Sequence, residues 1–289
     1  MTPIIVQQIF NGLVSGSIYT LIGLGLTLLF GVMGVLNFAH GYVAVFGAYI
    51  TLSLMQILGL PFLLALPLAA VVAGVLGLAL ERVIFRGARE QPINGLIISV
   101  GLIAVFEAGL LAFYSSNPQT IRPLFRDVFE IGSVVFAAQR LFVLGMTAAL
   151  LVALYILLNK TSLGRAMRAA SQQPLAARLM GIDIDRIHLI TFCISCVLAA
   201  FAGALFGTLF TFGPLTGSDI ILKAFVVVII GGMGSVTGAV VGGLMLGIIE
   251  SLTAQFLPSH FQDAMVFGLL IAILLFRPEG LFGVREREI

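Results

Sequence analysis

Charge is what this sequence has least of. Of its 289 residues only 10% are Asp, Glu, Lys or Arg, and none of these occurs before Glu81. Soluble domains carry about 25% charged residues, too many for comparison with a chain whose side chains are 60% hydrophobic. With so few polar groups it cannot cover a water-soluble globule, and a mean hydropathy of +1.16 makes lipid its solvent. Two cysteines rule out a disulfide scaffold. Cys193 and Cys196 lie three apart in an apolar run, where they pack as small apolar side chains rather than as a redox pair. Three scattered histidines give no basis for a metal site. The lysines are Lys160 and Lys223, and neither completes a G-x-x-x-x-G-K-[ST] phosphate loop. No H-E-x-x-H or G-x-S-G motif is present. No catalytic residue, and no cofactor held by this chain, is therefore expected. The net charge of +2 gives no reason to expect a nucleic-acid partner.

What is present is a succession of apolar runs. A helix needs roughly 20 apolar residues to cross the hydrocarbon, and a barrel strand about 10, so the runs read as helices. The segments 4–30, 42–58, 62–80, 93–114, 141–158 and 188–212 are expected to span. A glycine-broken pair at 222–230 and 235–256 follows, then 263–276. The fold class is an all-α polytopic membrane protein of about 7–9 segments, some broken or re-entrant, in one domain over residues 1–289. The first run lacks a basic leader and exceeds signal length, so it is expected to remain as a span.

Eleven of the fifteen basic residues fall in three regions: the loop 82–92, the loop 159–186 and the tail from Arg277. The positive-inside rule makes those regions, and the C-terminus, cytoplasmic. The other four, Arg122, Arg126, Arg140 and Lys223, then flank outward-facing segments, and counting back through three spans puts the N-terminus outside.

Two interruptions stand out. One is Gly31–Gly41, in which Asn37, His40 and Gly41 follow one another closely. The other is Gly231-Gly232-Met233-Gly234-Ser235, preceded by an apolar run of only nine residues. Broken helices in comparable positions of two halves point to a substrate path; ordinary turns would leave the same trace. The glycine pairs Gly12/Gly16, Gly203/Gly207, Gly238/Gly242 and Gly243/Gly247 are spaced for close helix packing, within the chain or against a second subunit. Ionisable groups inside spans are His40, Glu107 and Glu250, with Asp219 near an outer end. Each must face protein or water, in a structural or a path role.

The large polar feature is the loop 159–186. Ser162 is expected to cap a helix running to Gln172, and Pro174 to open a second closing at Gly181. Leu163, Ala166, Met167, Ala170, Leu175, Leu179 and Met180 form one apolar face beside arginines. Such a segment either lies on lipid headgroups or docks a cytoplasmic partner.

Four stretches resemble one family. NGLVSGSIYTLIGLGLTLLFGVMGVLNFAHGYVAVFGAY (11–49) is similar to the N-terminal signature of permease subunits from branched-chain amino-acid ATP-binding-cassette importers. SLGRAMRAASQQPLAARLMGI (162–182) resembles their coupling loop, IIGGMGSVTGAVVGG (229–243) their glycine signature, and FRPEGLFG (276–283) their terminal motif. The order and spacing match over nearly the whole chain, which resembles the shorter of the two permeases in such systems.

The resemblance implies half of a translocation path in a bacterial inner membrane. Its partners would be a second homologous permease, two ATPase subunits that bind ATP, and an external substrate-binding protein. Gly164, Arg165, Arg168, Pro174, Ala176, Ala177 and Gly181 would couple to the ATPase, although the Glu-Ala-Ala motif of importers in general is not reproduced. Asn37, His40, Gly41, Gly231, Gly232, Gly234, Ser235, Glu107 and Glu250 are the path candidates. Branched-chain or other neutral amino acids are the expected solutes. Relatives that carry urea, amides or aromatic acids, and a stand-alone secondary transporter or channel, remain alternatives.

Overall fold

The computed structural model describes residues 2–88, 92–131, 134–258 and 261–283. Eleven helices are described: α1 (Thr2–Met33), α2 (His40–Ile57), α3 (Phe62–Val83), α4 (Pro92–Tyr114), α5 (Ala138–Lys160), α6 (Ser162–Gln172), α7 (Pro174–Leu179), α8 (Ile184–Leu209), α9 (Thr216–Gly231), α10 (Val236–Phe256) and α11 (Phe261–Phe276). Seven of them, α1 to α5, α8 and α10, are long and apolar enough to cross a membrane. The fold is all-α and polytopic, with one addition that the sequence reading lacked. Strands β1 (Val128–Ile131) and β2 (Val134–Ala137) form an antiparallel hairpin. The Gln7 side-chain amide donates to the Val135 carbonyl and accepts from the Val135 N–H at 2.9 and 2.8 Å, pinning the hairpin to the start of α1.

α1 is the central element. It packs along α10, α8 and α9, and its residues from Ser17 to Leu29 are buried throughout. The glycine pairs explain the close approach: Gly12 and Gly16 of α1 lie against the backbone of Gly243, Gly247 and Ile248 of α10, leaving no room for a Cβ. Gly203 of α8 meets Ala44 of α2 in the same way. In lipid, where apolar burial gives little drive for helix association, such contacts let van der Waals packing hold the bundle. These pairs serve packing within the chain.

By contrast, α4 and α5 sit at the periphery and expose apolar faces, Ile93, Ile97 and Val105 on one and Val152 and Ile156 on the other.

Most span boundaries fall within a few residues of those read from the sequence, but α9 needs correction. It is not a nine-residue half-helix. It starts at Thr216 and runs 16 residues, about 24 Å at 1.5 Å per residue. The polar residues Ser218 and Asp219 belong to its first turn. Gly232–Ser235 then makes a tight reversal into α10, where the Ser235 hydroxyl caps the new helix by accepting from the Gly238 N–H at 3.1 Å. Lys223 is also re-placed. It does not flank a span but lies inside α9, facing α1 and α10.

The bundle has two polar ends. One carries the start of α1, the hairpin, the segment 115–127 and the α8–α9 turn. There Gln119 and Phe212 exchange backbone hydrogen bonds at 2.8 and 2.9 Å. The other carries the end of α1, α6, α7 and the α9–α10 reversal. There Arg86 and Asp185 form a 2.9 Å ion pair tying the end of α3 to the start of α8. Arg89, Arg285 and Arg287, which entered the reading of orientation, lie outside the described residues.

Candidate functional site

The first interruption is a re-entrant segment. α1 ends at Met33, and Gly34, at φ +67°, turns the chain in a conformation that other residues adopt only at a cost. Its N–H still bonds to the Phe30 carbonyl at 2.8 Å. The chain then climbs back along the bundle. Phe38 stacks on Phe225 of α9 with ring centroids 4.3 Å apart, and His40 reaches Gly25 of α1, where a Cβ would lie 2.5 Å from its Nε2. Gly25 is about two turns back from the end of α1 at Met33, so α2 begins well inside the length of α1. Asn37 is fully buried; its Oδ1 accepts from the Ala39 N–H at 3.0 Å, while its Nδ2 has no hydrogen-bond partner.

Gly41 adopts no unusual backbone conformation. It is helical, in the first turn of α2, and what requires glycine is α9: a Cβ would overlap the Gly217 carbonyl oxygen and lie 2.8 Å from the Ile221 Cβ.

The glycine reversal sits at the same polar end as Gly34, against the end of α1. Gly31 faces Gly234, where a Cβ would lie 3.3 Å from its Cα. The terminal motif closes over it. Leu281 and Phe282 donate backbone N–H groups to the Ile230 and Gly231 carbonyls at 2.8 and 3.0 Å, and Gly232 packs on Gly283. Two stretches some fifty positions apart, each recognised separately in the sequence, are thus one structural unit. Gly231 in turn packs on Gly238, backbone to backbone.

Beside this unit lies the patterned loop. The cap of α6 is Thr161 and not Ser162: the Thr161 hydroxyl accepts from the Gly164 N–H at 3.1 Å. Gly164 lies so close to the Leu157 and Leu158 carbonyls that a Cβ would overlap both, which seats α6 on the last turn of α5. Arg168 ties the same place by donating to the Leu158 carbonyl, and Arg165 is exposed. Pro174 opens α7, and Gly181 at φ +85° closes the element, with its N–H on the Arg178 carbonyl at 3.0 Å. Ala176 accepts from the Met180 N–H and Ala177, which is buried, from that of Ile182, both at 3.1 Å.

The apolar face read as one surface is split in two. Met167 and Ala170 are buried against the bundle, whereas Leu175, Leu179 and Met180 are 71, 82 and 84% exposed.

Among the described residues three cavities meet α1, one of them of about 370 Å³ beside Thr27, Gly31, Leu158 and Gly234. An inner one of about 830 Å³ is lined by Gly31, Gly34, Pro174, Arg178, Gly234 and Ser235, so the glycine reversal and the patterned loop share a wall. An outer one of about 360 Å³, toward the hairpin end, is lined among others by Asn11, Tyr19, Arg140, Lys223 and Glu250. Between them α1 is close-packed: Gly23 abuts Val227, and Gly25 abuts His40 and Ser195, whose hydroxyl donates to the Gly25 carbonyl at 2.6 Å.

Glu250 stands in the outer cavity, ion-paired with Lys223, whose ammonium also donates to the Tyr19 hydroxyl at 3.1 Å. Glu107 is elsewhere, half-buried on α4, accepting a 3.4 Å hydrogen bond from Tyr42. Sequence reading missed the Lys223–Glu250 pair because the partners are 27 residues apart on different helices. It also missed Arg140, which donates to the Asn11 side-chain oxygen. The available signal was a lysine amid the apolar run 220–231. Among the described residues no group of His, Cys, Asp or Glu is placed to hold a metal.

The sequence that builds this arrangement has known relatives. Residues 8–274 match the family described as branched-chain amino acid transport system / permease component. The chain belongs to this family. Its relatives in the family include the high-affinity branched-chain amino acid transport system permease protein BraD of Pseudomonas aeruginosa, 34% identical, with 98% of this chain and 97% of that protein aligned. The corresponding LivH of Escherichia coli is 33% identical over 98% of this chain and 96% of its own. LivM of Escherichia coli, another permease protein of the same kind of system, is 28% identical over 94% of this chain but only 69% of its own length. The chain is thus a permease-family membrane protein of the shorter, LivH-like form.

Proposed function

We propose that this chain is the permease subunit of an ATP-driven importer of branched-chain or other neutral amino acids, residing in a bacterial inner membrane with its C-terminus in the cytoplasm. The whole chain acts as one permease domain, and residues 159–186 are its coupling element. A second homologous permease completes the path against the exposed faces of α4 and α5, and an external binding protein delivers the solute. ATP is bound and hydrolysed by two separate subunits. The solute substrate class rests on the names of the relatives.

The observation that carries the partner reading is α7. A short helix on the basic loop holds Leu175, Leu179 and Met180 out into solvent while its other side is anchored on the bundle through Ala177. A helix lying on headgroups would direct one continuous apolar face to lipid. Here the apolar residues of α6 are already used in packing, and the free ones, Leu175, Leu179 and Met180, flank Arg178 as a compact tip suited to a protein groove.

The path follows α1. Solute enters the outer cavity beside Glu250, passes the close-packed layer at Gly25, Asn37, His40 and Gly41, and leaves by the inner cavity at Gly234 and Ser235, the Gly231–Gly232 reversal forming its far wall. The layer must open for passage. A movement of α7 reaches it through the shared inner wall, because that wall also carries Gly31 and Gly34. Glu107 holds α4 to α2 through Tyr42 and stands beside the path.

The test is copurification and transport. Purified with its neighbours, the chain should bring down an ATPase, and reconstituted uptake of L-leucine should require ATP and the binding protein. Leu175→Glu with Leu179→Glu should abolish ATPase association while membrane insertion is unchanged. ATP-independent uptake by the isolated chain in liposomes would overturn the reading in favour of a secondary transporter.

A further inference from the structure

The outer cavity holds three charged side chains, Arg140, Lys223 and Glu250, in a chain that has few of them. Ionised groups at membrane depth are costly and persist where they pair or meet a polar pathway. Here the pairing is incomplete in a specific way. The Lys223 ammonium has three N–H donors, and two of them go to Glu250 Oε1 and the Tyr19 hydroxyl. Glu250 Oε2 is buried without a hydrogen-bond partner. Arg140 has five donors, and its contact in the cavity is a neutral one, the side-chain oxygen of Asn11. A pair that served stability alone would have its second carboxylate oxygen met by a donor of the chain, as buried polar groups generally are. The cavity wall therefore carries a carboxylate whose second oxygen has no donor of its own and a guanidinium bonded to a neutral group, while Phe206 and Phe210, with ring centroids 4.9 Å apart, add an apolar wall.

We propose that this cavity is a transient binding site for an amino-acid zwitterion in transit, with the solute ammonium on Glu250, its carboxylate on Arg140, and its aliphatic side chain against Phe206 and Phe210. A volume of about 360 Å³ holds one small solute and lies within the range of about 300–1,000 Å³ typical of ligand pockets. Charge-assisted bonds at both ends of the head group select for a molecule carrying both charges. Lys223 is a positioning residue, holding the Glu250 carboxylate in the cavity wall through Oε1. This assignment rests on the reading that the chain passes an amino acid, and it places a first stop above the close-packed layer.

The experiment is substrate protection in the complete importer. Ser251 lines the cavity and carries the reporter, Ser251→Cys, in a Cys193→Ala/Cys196→Ala background. Reaction with a small hydrophilic thiol reagent is timed with and without L-leucine. At three times its dissociation constant L-leucine should slow labelling about fourfold, from simple occupancy. 4-Methylpentanoate, which lacks the ammonium, and 3-methylbutylamine, which lacks the carboxylate, should protect only at much higher concentration. Glu250→Gln and Arg140→Gln should each raise the half-protecting L-leucine concentration about tenfold or more. Uptake of L-leucine is measured on the same vesicles. Uptake without protection would overturn the site while leaving the transport reading intact, and absence of both would overturn the two together. Protection unchanged in Glu250→Gln would remove Glu250 from the assignment. The protection measurement in the unaltered charge background does not depend on how those variants fold.

Discussion

His40 lies against Gly25 so closely that a Cβ on the glycine would come within 2.5 Å of the imidazole Nε2. Through this contact the second helix starts inside the bundle and not at its edge. It closes the layer between the outer and inner cavities together with the Ser195 hydroxyl, which bonds to the Gly25 carbonyl.

Gly25→Ala should therefore destabilise the protein by about 1–3 kcal/mol, the usual cost of overpacking a filled core. Gly41→Val should do more damage, because the obstacle is the Gly217 backbone and not the tip of a side chain. Asn37→Leu removes the Oδ1 contact to the Ala39 N–H; it should cut uptake at normal expression. Thermal unfolding in detergent, run beside uptake, separates the effects: the glycine variants lose melting temperature first, and Asn37→Leu loses transport first.

Thr161, and not its neighbour, caps α6. Thr161→Ala should cost about 1 kcal/mol of local stability, as loss of an N-cap does, whereas Ser162→Ala should stay within about 0.5 kcal/mol, typical of surface changes. Hydrogen exchange over 161–172 reads the difference directly. Equal protection in both variants would contradict the capping assignment.

The Lys223–Glu250 pair gives a third expectation. Lys223→Met alone leaves a mostly buried carboxylate without its partner and should destabilise by on the order of 3 kcal/mol. Lys223→Met with Glu250→Met should recover most of that stability, since a buried pair replaced by apolar residues is often neutral. Uptake should not recover with it. A double variant that transports like the parent would reduce the pair to a structural role.

Sidedness is tested by thiol labelling in intact cells, again without the native cysteines. Asn117→Cys, on the hairpin end, should react with a membrane-impermeant reagent. Arg86→Cys and Arg165→Cys, on the end that carries α6 and α7, should react only after permeabilisation. Labelling of Arg165→Cys from outside would invert the topology and remove the coupling role of the loop.

Composition and periodicity determined the solvent, the helical class and nearly every span, because in lipid a backbone must satisfy itself within one helix and about twenty apolar residues leave no other reading. The patterned loop and the two glycine interruptions were legible for the same reason: polar or flexible residues are conspicuous in an apolar chain. What α9 is, however, depended on neighbours. Ser218 and Asp219 look like a boundary until the fold supplies a polar end of the bundle where they can form a helical first turn. The apolar face of the loop likewise reads as one surface in sequence, and only contact with the bundle buries Met167 and Ala170 and leaves Leu175, Leu179 and Met180 outside. The joining of Leu281 to Ile230, of His40 to Gly25 and of Lys223 to Glu250 was decided by tertiary structure alone, since helical periodicity orders residues three or four apart and carries no information about which helix a face will meet.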